Sequence, residues 1–366
     1  MNMAPRRPTI NSSPLGLMLR LLRELLGIDM HILHASHISN YTPPVGYGGI
    51  ELIVDTLAKE QVAKGHKVLV MGIKPEGVEP PYKMRVVFKK PIKKPGIWHK
   101  LRYSTSLIVN ARDFDVIHIH VQWLTPASAV IMQLMKKPVI LTLHADPSRF
   151  IARFGVPMVA ISETQRNRLM ARGIRPVTVI YNGIDIDKYP FRANKEDFFL
   201  YLSRIDEFKG LHIAIKAVKR LNEKLIIMGP VTDQEYFNNL IKPFIDNKNI
   251  IYLGEVDFKT KVEYLSRAKA LLYPVQYEEF FGIAMVEALA TGTPVIGFAR
   301  GSVIEIVRNE VTGFVIKDLE EMMKAIRSVD RLDYLECRRD AERRFSSRTM
   351  AERYEKLYKE LILKQA

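Results

Sequence analysis

The sequence predicts an α/β protein made of two doubly wound, Rossmann-like parallel sheets facing each other across a cleft, and three observations carry that expectation. From Met30 onward, short β-branched runs alternate with amphipathic stretches of helical length. The rhythm stops at a polar interval, PFRANKED (190–197), and then starts again. A chain of 366 residues with 47% hydrophobic content can bury two cores of this kind.

Taken in order, the strands of the first half are MHILHAS, HKVLVMG, MRVVFKK, DVIHIHV, PVILTLH, MVAIS and VTVIYNG. IELIVDTLAKEQVAKG and PASAVIMQLMKK read as helices between them. In the second half FFLYLS, KLIIMGP, NIIYLGE, ALLYPV, TPVIGF and GFVIK are strands, and the tail from about Arg331 is charged and helical. The expected divisions are an extension at 1–29, a first domain at 30–189, a second at 190–330 and C-terminal helices at 331–366. PLGLMLRLLRELLGI (14–28) is too short and too charged to span a membrane, and no small-residue cleavage site follows it. It is read as an extension ahead of a natural start at Met30, with an interfacial amphipathic anchor as the alternative.

A single cysteine, Cys337, excludes an intrachain disulfide framework and a cysteine-based zinc site, and suits a reducing cytoplasm. The net charge of +15 favours an anionic partner. No helix-turn-helix, RNA-recognition or zinc-finger pattern accompanies that charge, so nucleic acid is not the expected partner.

Open parallel sheets bind ligands beyond the carboxyl ends of their strands, which directs attention to four stretches. In VGYGGIE (45–51), Gly48 and Gly49 at a helix start would let a phosphate or sugar approach backbone N–H groups; glycines at such a turn are also often only structural. His120 and His144 close two strands and are expected to bond a polar ligand, whereas His118 reads as a satisfied core histidine. A metal held by His118 and His120 lacks a supporting cysteine or H-E-x-x-H pattern. In SRIDEFKG (203–210), Arg204 and Lys209 bracket a loop ahead of a helix and would share an anion such as a diphosphate; two solvated surface cations is the plainer reading.

The fourth stretch is EEFFGIAMVEALATGTPVIGF (278–298), where Glu279 and Glu287 stand eight positions apart among apolar residues. Ile283, Val286 and Ala290 follow the spacing of a buried helix face, and Glu287 falls on the same side. A buried carboxylate needs a partner. That partner is either an interior cation or a ligand with paired hydroxyls such as a ribose, with phosphate resting on the free N–H groups at Gly282 and Ile283.

Together these stretches resemble the retaining glycosyltransferases of family four, which have the GT-B fold. The likeness runs from Met30 to the C-terminus. Its most specific element is the Glu279-x7-Glu287 pattern followed by GSVIEIV and VTGFVI, supported by SRIDEFKG, YNGID and PPVGYGGIE. PPVGYGGIE combined with HIAIKAV and IIMGPVTDQEYF resembles especially the branch that includes antibiotic-tailoring sugar transferases. The resemblance implies transfer of a sugar from a nucleoside-diphosphate sugar, such as a UDP-sugar, to an acceptor hydroxyl with retention and without metal or other cofactor. It implies that Glu287 holds the ribose, Arg204 and Lys209 the diphosphate, and Glu279 with Phe281, Gly282, Ile283 and Ala284 the sugar. His120 would stand near the reacting carbon, Gly48 and Gly49 would line the first-domain side, and Tyr47 and His144 would face the acceptor. Phe280 departs from the family, in which proline often follows the first glutamate. A retaining phosphorylase or a sugar-nucleotide epimerase on the same fold is the alternative.

KKPIKKPGIWHKLR (89–102) carries six Lys and Arg residues and no acid, interleaved with Ile92, Ile97 and Trp98. Pro91 and Pro95 should keep its first half from being regular helix. The segment suits an anionic membrane surface, which would bring a lipid-linked acceptor within reach; a solvated loop with Trp98 packed inward is the other reading.

Overall fold

The computed structural model describes residues 29–46, 48–121, 131, 134–147 and 155–364. The first half contains β1 (His31–Ala35), α1 (Gly49–Ala63), β2 (Lys67–Gly72), β3 (Lys83–Val86), α2 (Ile97–Ala111), β4 (Val116–Ile119), β5 (Val139–Leu143), β6 (Met158–Ala160), α3 (Glu163–Ala171) and β7 (Thr178–Val179). Among the described residues its seven strands pair in parallel in the order β3-β2-β1-β4-β5-β6-β7. The second half contains β8 (Glu196–Leu202), α4 (Leu211–Leu221), β9 (Leu225–Met228), β10 (Ile250–Tyr252), α5 (Phe258–Arg267), β11 (Ala268–Tyr273), α6 (Ile283–Ala290), β12 (Val295–Phe298), α7 (Val303–Ile306), β13 (Gly313–Ile316) and α8 (Leu319–Ser328). Its sheet is also parallel, in the order β10-β9-β8-β11-β12-β13. Two Rossmann-like α/β units are therefore present, as the repeated strand rhythm predicts.

Each strand order reverses at one place, between β1 and β4 in the first sheet and between β8 and β11 in the second. Loops leaving neighbouring strands at such a point turn in opposite directions and open a crevice. The strands are apolar on both faces because helices cover both. On β1, Ile32 packs with Val54 and Leu57 of α1, whereas the adjacent Leu33 packs with Tyr103 and Leu107 of α2. In the second sheet Leu200 and Leu271 meet Met285 and Leu289 of α6, and Phe199 and Leu272 meet Ile215 of α4 and Ile326 of α8.

Two helices complete the chain, α9 (Tyr334–Phe345) and α10 (Ser347–Leu363). Ser346 ends the first and starts the second: its hydroxyl accepts from Thr349 N at 3.2 Å, satisfying an otherwise orphaned donor. Helix α9 packs on α6, but α10 crosses back to the first domain, where Met350, Tyr354, Leu357, Tyr358 and Ile362 join Ile32, Val54, Leu57 and Ile140 in one core.

Some expectations need revision. The strand read over MRVVFKK ends at Val86: β3 is the sheet edge, and Lys89 and Lys90 beyond it are exposed. VTVIYNG contributes only two strand residues. The helix expected at PASAVIMQLMKK lies largely outside the described residues. In KKPIKKPGIWHKLR the prolines do hold the first half out of helix, and α2 begins at Ile97. Trp98 does not pack inward: it is 78% exposed, beside exposed Ile97 and Leu101 on the same helix.

The domains also meet through Glu305 of α7. Its carboxylate accepts from Glu163 N at 2.8 Å and Thr164 N at 3.0 Å, at the start of α3 in the first domain, as well as from the Thr164 hydroxyl and from Tyr181 Oη at 2.9 Å. A carboxylate at a helix N-terminus gains from both the free N–H groups and the dipole. Glu305→Ala should cost about 1–3 kcal/mol by leaving these donors unmet, seen as an earlier transition in denaturant titration; an unchanged midpoint would show that the contact contributes nothing net.

Candidate functional site

A cavity of about 600 Å³ lies between the two sheets, where their switch points face each other. Gly48, Gly49 and His144 contribute from the first domain; Lys209, Lys261, Glu279, Phe280, Phe281, Gly282, Ile283, Ala284 and Glu287 contribute from the second.

Glu279 follows β11 and is only 6% exposed. Its Oε2 accepts from Lys209 Nζ at 2.7 Å, Tyr273 Oη at 2.6 Å and Tyr277 Oη at 2.8 Å, while Oε1 accepts from Phe280 N at 3.2 Å. Burial works to raise this carboxyl, but the Lys209 ammonium and the two hydroxyls outweigh it and hold the group below its ordinary range. Lys209 comes from the loop after β8, turned tightly by Gly210 at φ 71; a Cβ there would lie 2.0 Å from Pro274 O. The ion pair therefore joins the loops that leave the two strands flanking the second switch point.

Glu287 lies inside α6 and is 3% exposed. Both of its bonds fall on Oε1, from Tyr189 Oη at 2.8 Å and Lys261 Nζ at 2.5 Å. The interior cation considered as one partner is thus Lys261. Gly282, at φ 74, precedes α6, and no side chain caps this helix start. Helix α1 likewise starts after Gly48 with no side-chain cap. Both helix starts line the cavity, so two sets of backbone N–H groups converge on it.

Two predicted site residues stand elsewhere. Arg204 does not line the cavity; its Nε donates to Asp206 Oδ2 at 2.5 Å, and Asp206 Oδ1 accepts from Lys209 N at 3.1 Å. His120 is 1% exposed and also does not line the cavity; its Nε2 meets His34 Nδ1 and its Nδ1 meets His144 Nε2, each at 3.1 Å. His120 is the first residue after β4, which ends at Ile119, and its ring is turned inward onto His34 and His144. His118 is the satisfied core histidine the sequence suggested, bonded to Tyr358 Oη and Thr142 Oγ1 at 2.6 Å each. Tyr47 lies outside the described residues.

His34, His118 and His120 hold ligand-type nitrogens within 4.8 Å of one another. Each of those rings is engaged in the hydrogen bonds just given or, for His34, with Gln61 Oε1 at 2.7 Å. Sequence reasoning missed His34, Lys261, Tyr189 and Asn182. YNGID contains Asn182 and could have drawn attention to it, whereas nothing in FKTKVEYL distinguishes Lys261 from a solvated helix lysine. Phe280 is half-buried in the cavity wall and lies under the Arg168 guanidinium of the first domain, 4.8 Å from its ring centre.

Two facing Rossmann-like units with the cavity between them define the GT-B class. Residues 185–348 match the family model described as Glycosyl transferases group 1, and residues 47–188 match Glycosyltransferase Family 4. Together the matches take in residues 47–348, and the chain belongs to the glycosyltransferases these models describe. It is 26% identical over 347 residues to a glycogen synthase of Mycobacterium tuberculosis, spanning 78% of this chain and 83% of that one. Its fold matches that of AviGT4, a glycosyltransferase involved in avilamycin A biosynthesis, with a TM-score of 0.71 and 24% identity over 91% of this chain and 98% of that one. HepE of Anabaena, in complex with UDP and glucose, gives a TM-score of 0.71 at 21% identity, covering 90% and 99% of the two chains. Among the described residues no helix is long and apolar enough to cross a membrane.

Lys209→Met should destabilise the protein by about 3–5 kcal/mol, because Glu279 stays buried without its cation. In the wild type, the stability tied to the lowered carboxyl is present above the ordinary carboxylate range and is lost as pH falls below it. In Lys209→Met the sign reverses: the acid prefers its neutral form, and stability should rise as pH falls. Adding Glu279→Gln should recover most of the loss. Denaturant titrations from neutral pH down through the carboxylate range to about pH 3 measure all three proteins, and a single variant as stable as the double one would rule out a coupled pair.

Proposed function

We propose that the cavity binds a nucleoside-diphosphate sugar and that the enzyme moves the sugar to an acceptor hydroxyl with retention of configuration and without metal. The carrying observation is the arrangement around α6: an uncapped helix start in the cavity, framed by buried Glu279 and Glu287 with Lys209 beside the first. In this reading the helix start takes phosphate, and Lys209 stabilises charge growing on the leaving diphosphate. Arg204 assists after turning from Asp206. Glu287 keeps Oε1 on Tyr189 and Lys261, and Oε2 takes the ribose hydroxyls. Glu279 and the Gly282–Ala284 backbone hold the transferred sugar, whose pocket Phe280 reshapes. Both buried acids have structural partners and neither is positioned here as a nucleophile, which favours same-face attack assisted by the leaving phosphate over a two-step displacement.

HepE's complex with UDP and glucose supports UDP as the first nucleotide to test. The avilamycin enzyme supports the antibiotic-tailoring branch through its fold alone. Labelled UDP-glucose offered with an acceptor panel gives distinct products for transfer, phosphorolysis and epimerisation; absence of transfer with every nucleotide sugar tried would defeat the reading. Glu287→Gln should weaken UDP binding by about 1.5–3 kcal/mol, the range of charge-assisted hydrogen bonds. Calorimetry reads this, and unchanged affinity in a folded variant would confine Glu287 to holding Tyr189 and Lys261.

The acceptor side is proposed to visit an anionic membrane leaflet from the cytoplasm. Exposed Ile97, Trp98 and Leu101 on α2 support this, with Lys89, Lys90, Lys94 and Lys100 close by in the chain. Each cation near an anionic bilayer contributes about 1 kcal/mol, and Trp98 adds an interfacial anchor. Phosphatidylcholine vesicles containing phosphatidylglycerol should sediment the protein, less so in high salt or after Lys89, Lys90, Lys93 and Lys94 are changed to Ser. Protein left in the supernatant at low salt would favour a soluble acceptor.

A further inference from the structure

A continuous hydrogen-bonded chain leads from the cavity into the first domain. His144 Nε2 meets His120 Nδ1 at 3.1 Å, His120 Nε2 meets His34 Nδ1 at 3.1 Å, and His34 Nε2 meets Gln61 Oε1 at 2.7 Å. Gln61 also donates from Nε2 to Tyr358 Oη at 3.4 Å, and Tyr358 meets His118 Nδ1 at 2.6 Å. Only His144 lines the cavity; His34, Gln61, His118 and Tyr358 are wholly buried.

With Gln61 oriented as in the structure, Oε1 toward His34 and Nε2 toward Tyr358, the direction of this chain follows from its inner end. An amide oxygen only accepts, so His34 must carry its proton on Nε2. Burial keeps the His34 imidazole neutral, lowering its pKa to about 4, and lowers His120 and His144 as well. A neutral ring with Nε2–H offers Nδ1 only as an acceptor, so His120 must donate to His34 from Nε2. The same step applies once more between His120 and His144. His144 is then the Nε2–H tautomer, and its remaining polar atom is the Nδ1 lone pair. On the other branch, Tyr358 accepts from Gln61 and donates to His118 Nδ1, which leaves His118 Nε2–H to donate to Thr142 Oγ1. All four rings take one tautomer without conflict.

We propose that Gln61 is a positioning residue: through His34 and His120 it sets His144 as a hydrogen-bond acceptor for a hydroxyl of the sugar-bearing ligand. The opposite polarisation would make His144 a donor and would favour a phosphate or carboxylate oxygen instead. Gln61 touches no ligand. It sits in the last turns of α1, whose first turn opens on the cavity, and α10 holds it through Tyr358. The ligand's identity rests on the glycosyl-transfer reading, but the tautomers are a property of the free protein.

Long-range proton–nitrogen spectra of ¹⁵N-histidine-labelled protein without ligand test the relay, with single-histidine variants for assignment. Nε2–H forms are expected for His34, His120 and His144. Gln61→Leu removes the acceptor, and Nδ1–H signals should appear along the relay as its direction is lost. Gln61→Glu keeps an oxygen for His34 whether ionised or protonated and should retain the wild-type tautomers. A wild-type His144 protonated at Nδ1 would overturn the proposal without any variant. Three Nε2–H rings surviving in folded Gln61→Leu would also overturn it. UDP-glucose is then added to the wild type: a shift of His144 Nδ1 is expected, and binding without that shift would overturn the ligand contact. Failure to bind UDP-glucose or any other nucleotide sugar would instead defeat the transfer reading, with the free-protein tautomers still deciding the relay.

Discussion

One face of the first sheet is covered only in part by α1 until the end of the chain returns to complete the layer. Tyr354 and Tyr358 of α10 are each at most 1% exposed against β1, β5 and α1, although more than 200 residues of chain separate them from those elements. Burying side chains of this size removes apolar surface from water at roughly 25 cal/mol per Å². The same helix joins the polar interior through Tyr358 to Gln61 and His118 and through Tyr354 to Thr142 at 2.7 Å. Order around the histidines, and a large apolar part of the contact between the two domains, therefore depend on a single segment.

Each side of the cavity carries a different kind of polar order. On the second domain, Glu279 and Lys209 form an ion pair joined by the hydroxyls of Tyr273 and Tyr277. A buried ion pair gains little net stability, since desolvation offsets most of the attraction. What it supplies is a charge held in place before any ligand arrives, which suits a site meant to meet developing negative charge. On the first domain the order is neutral: imidazoles, an amide and hydroxyls, each satisfied by the next. Such a network can carry direction rather than charge: with Gln61 Oε1 on His34, each later link has one donor.

Outside the cavity, α2 presents a surface of another character. Its inner side holds Tyr103, Leu107 and Ala111 in the core, while Ile97, Trp98 and Leu101 face solvent near a run of lysines. Folding gains nothing from an exposed tryptophan, so the packing of the domain does not account for this position.

Much of this protein was legible in the sequence. The strand rhythm and its restart after PFRANKED announced two parallel sheets, because β-branched runs at that spacing have few other ways to bury both faces. Glu279 and Glu287 were visible as acids on apolar stretches, and the glycines before α1 and α6 as helix starts on the cavity. Their partners were not. Lys209 and Glu279 are 70 residues apart, Glu287 and Tyr189 are 98 apart, and Lys261 looks locally like any solvated lysine. His120 and Arg204 show the same limit from the other direction: the sequence placed them after strands, but the turn of one residue beyond β4 and the nearness of Asp206 decided where their side chains went. Local pattern determines which residues must be buried or must find a partner, since that depends on the residue and its period. Which partner it finds depends on how sheets and crossing helices pack, and that is decided only when distant segments meet.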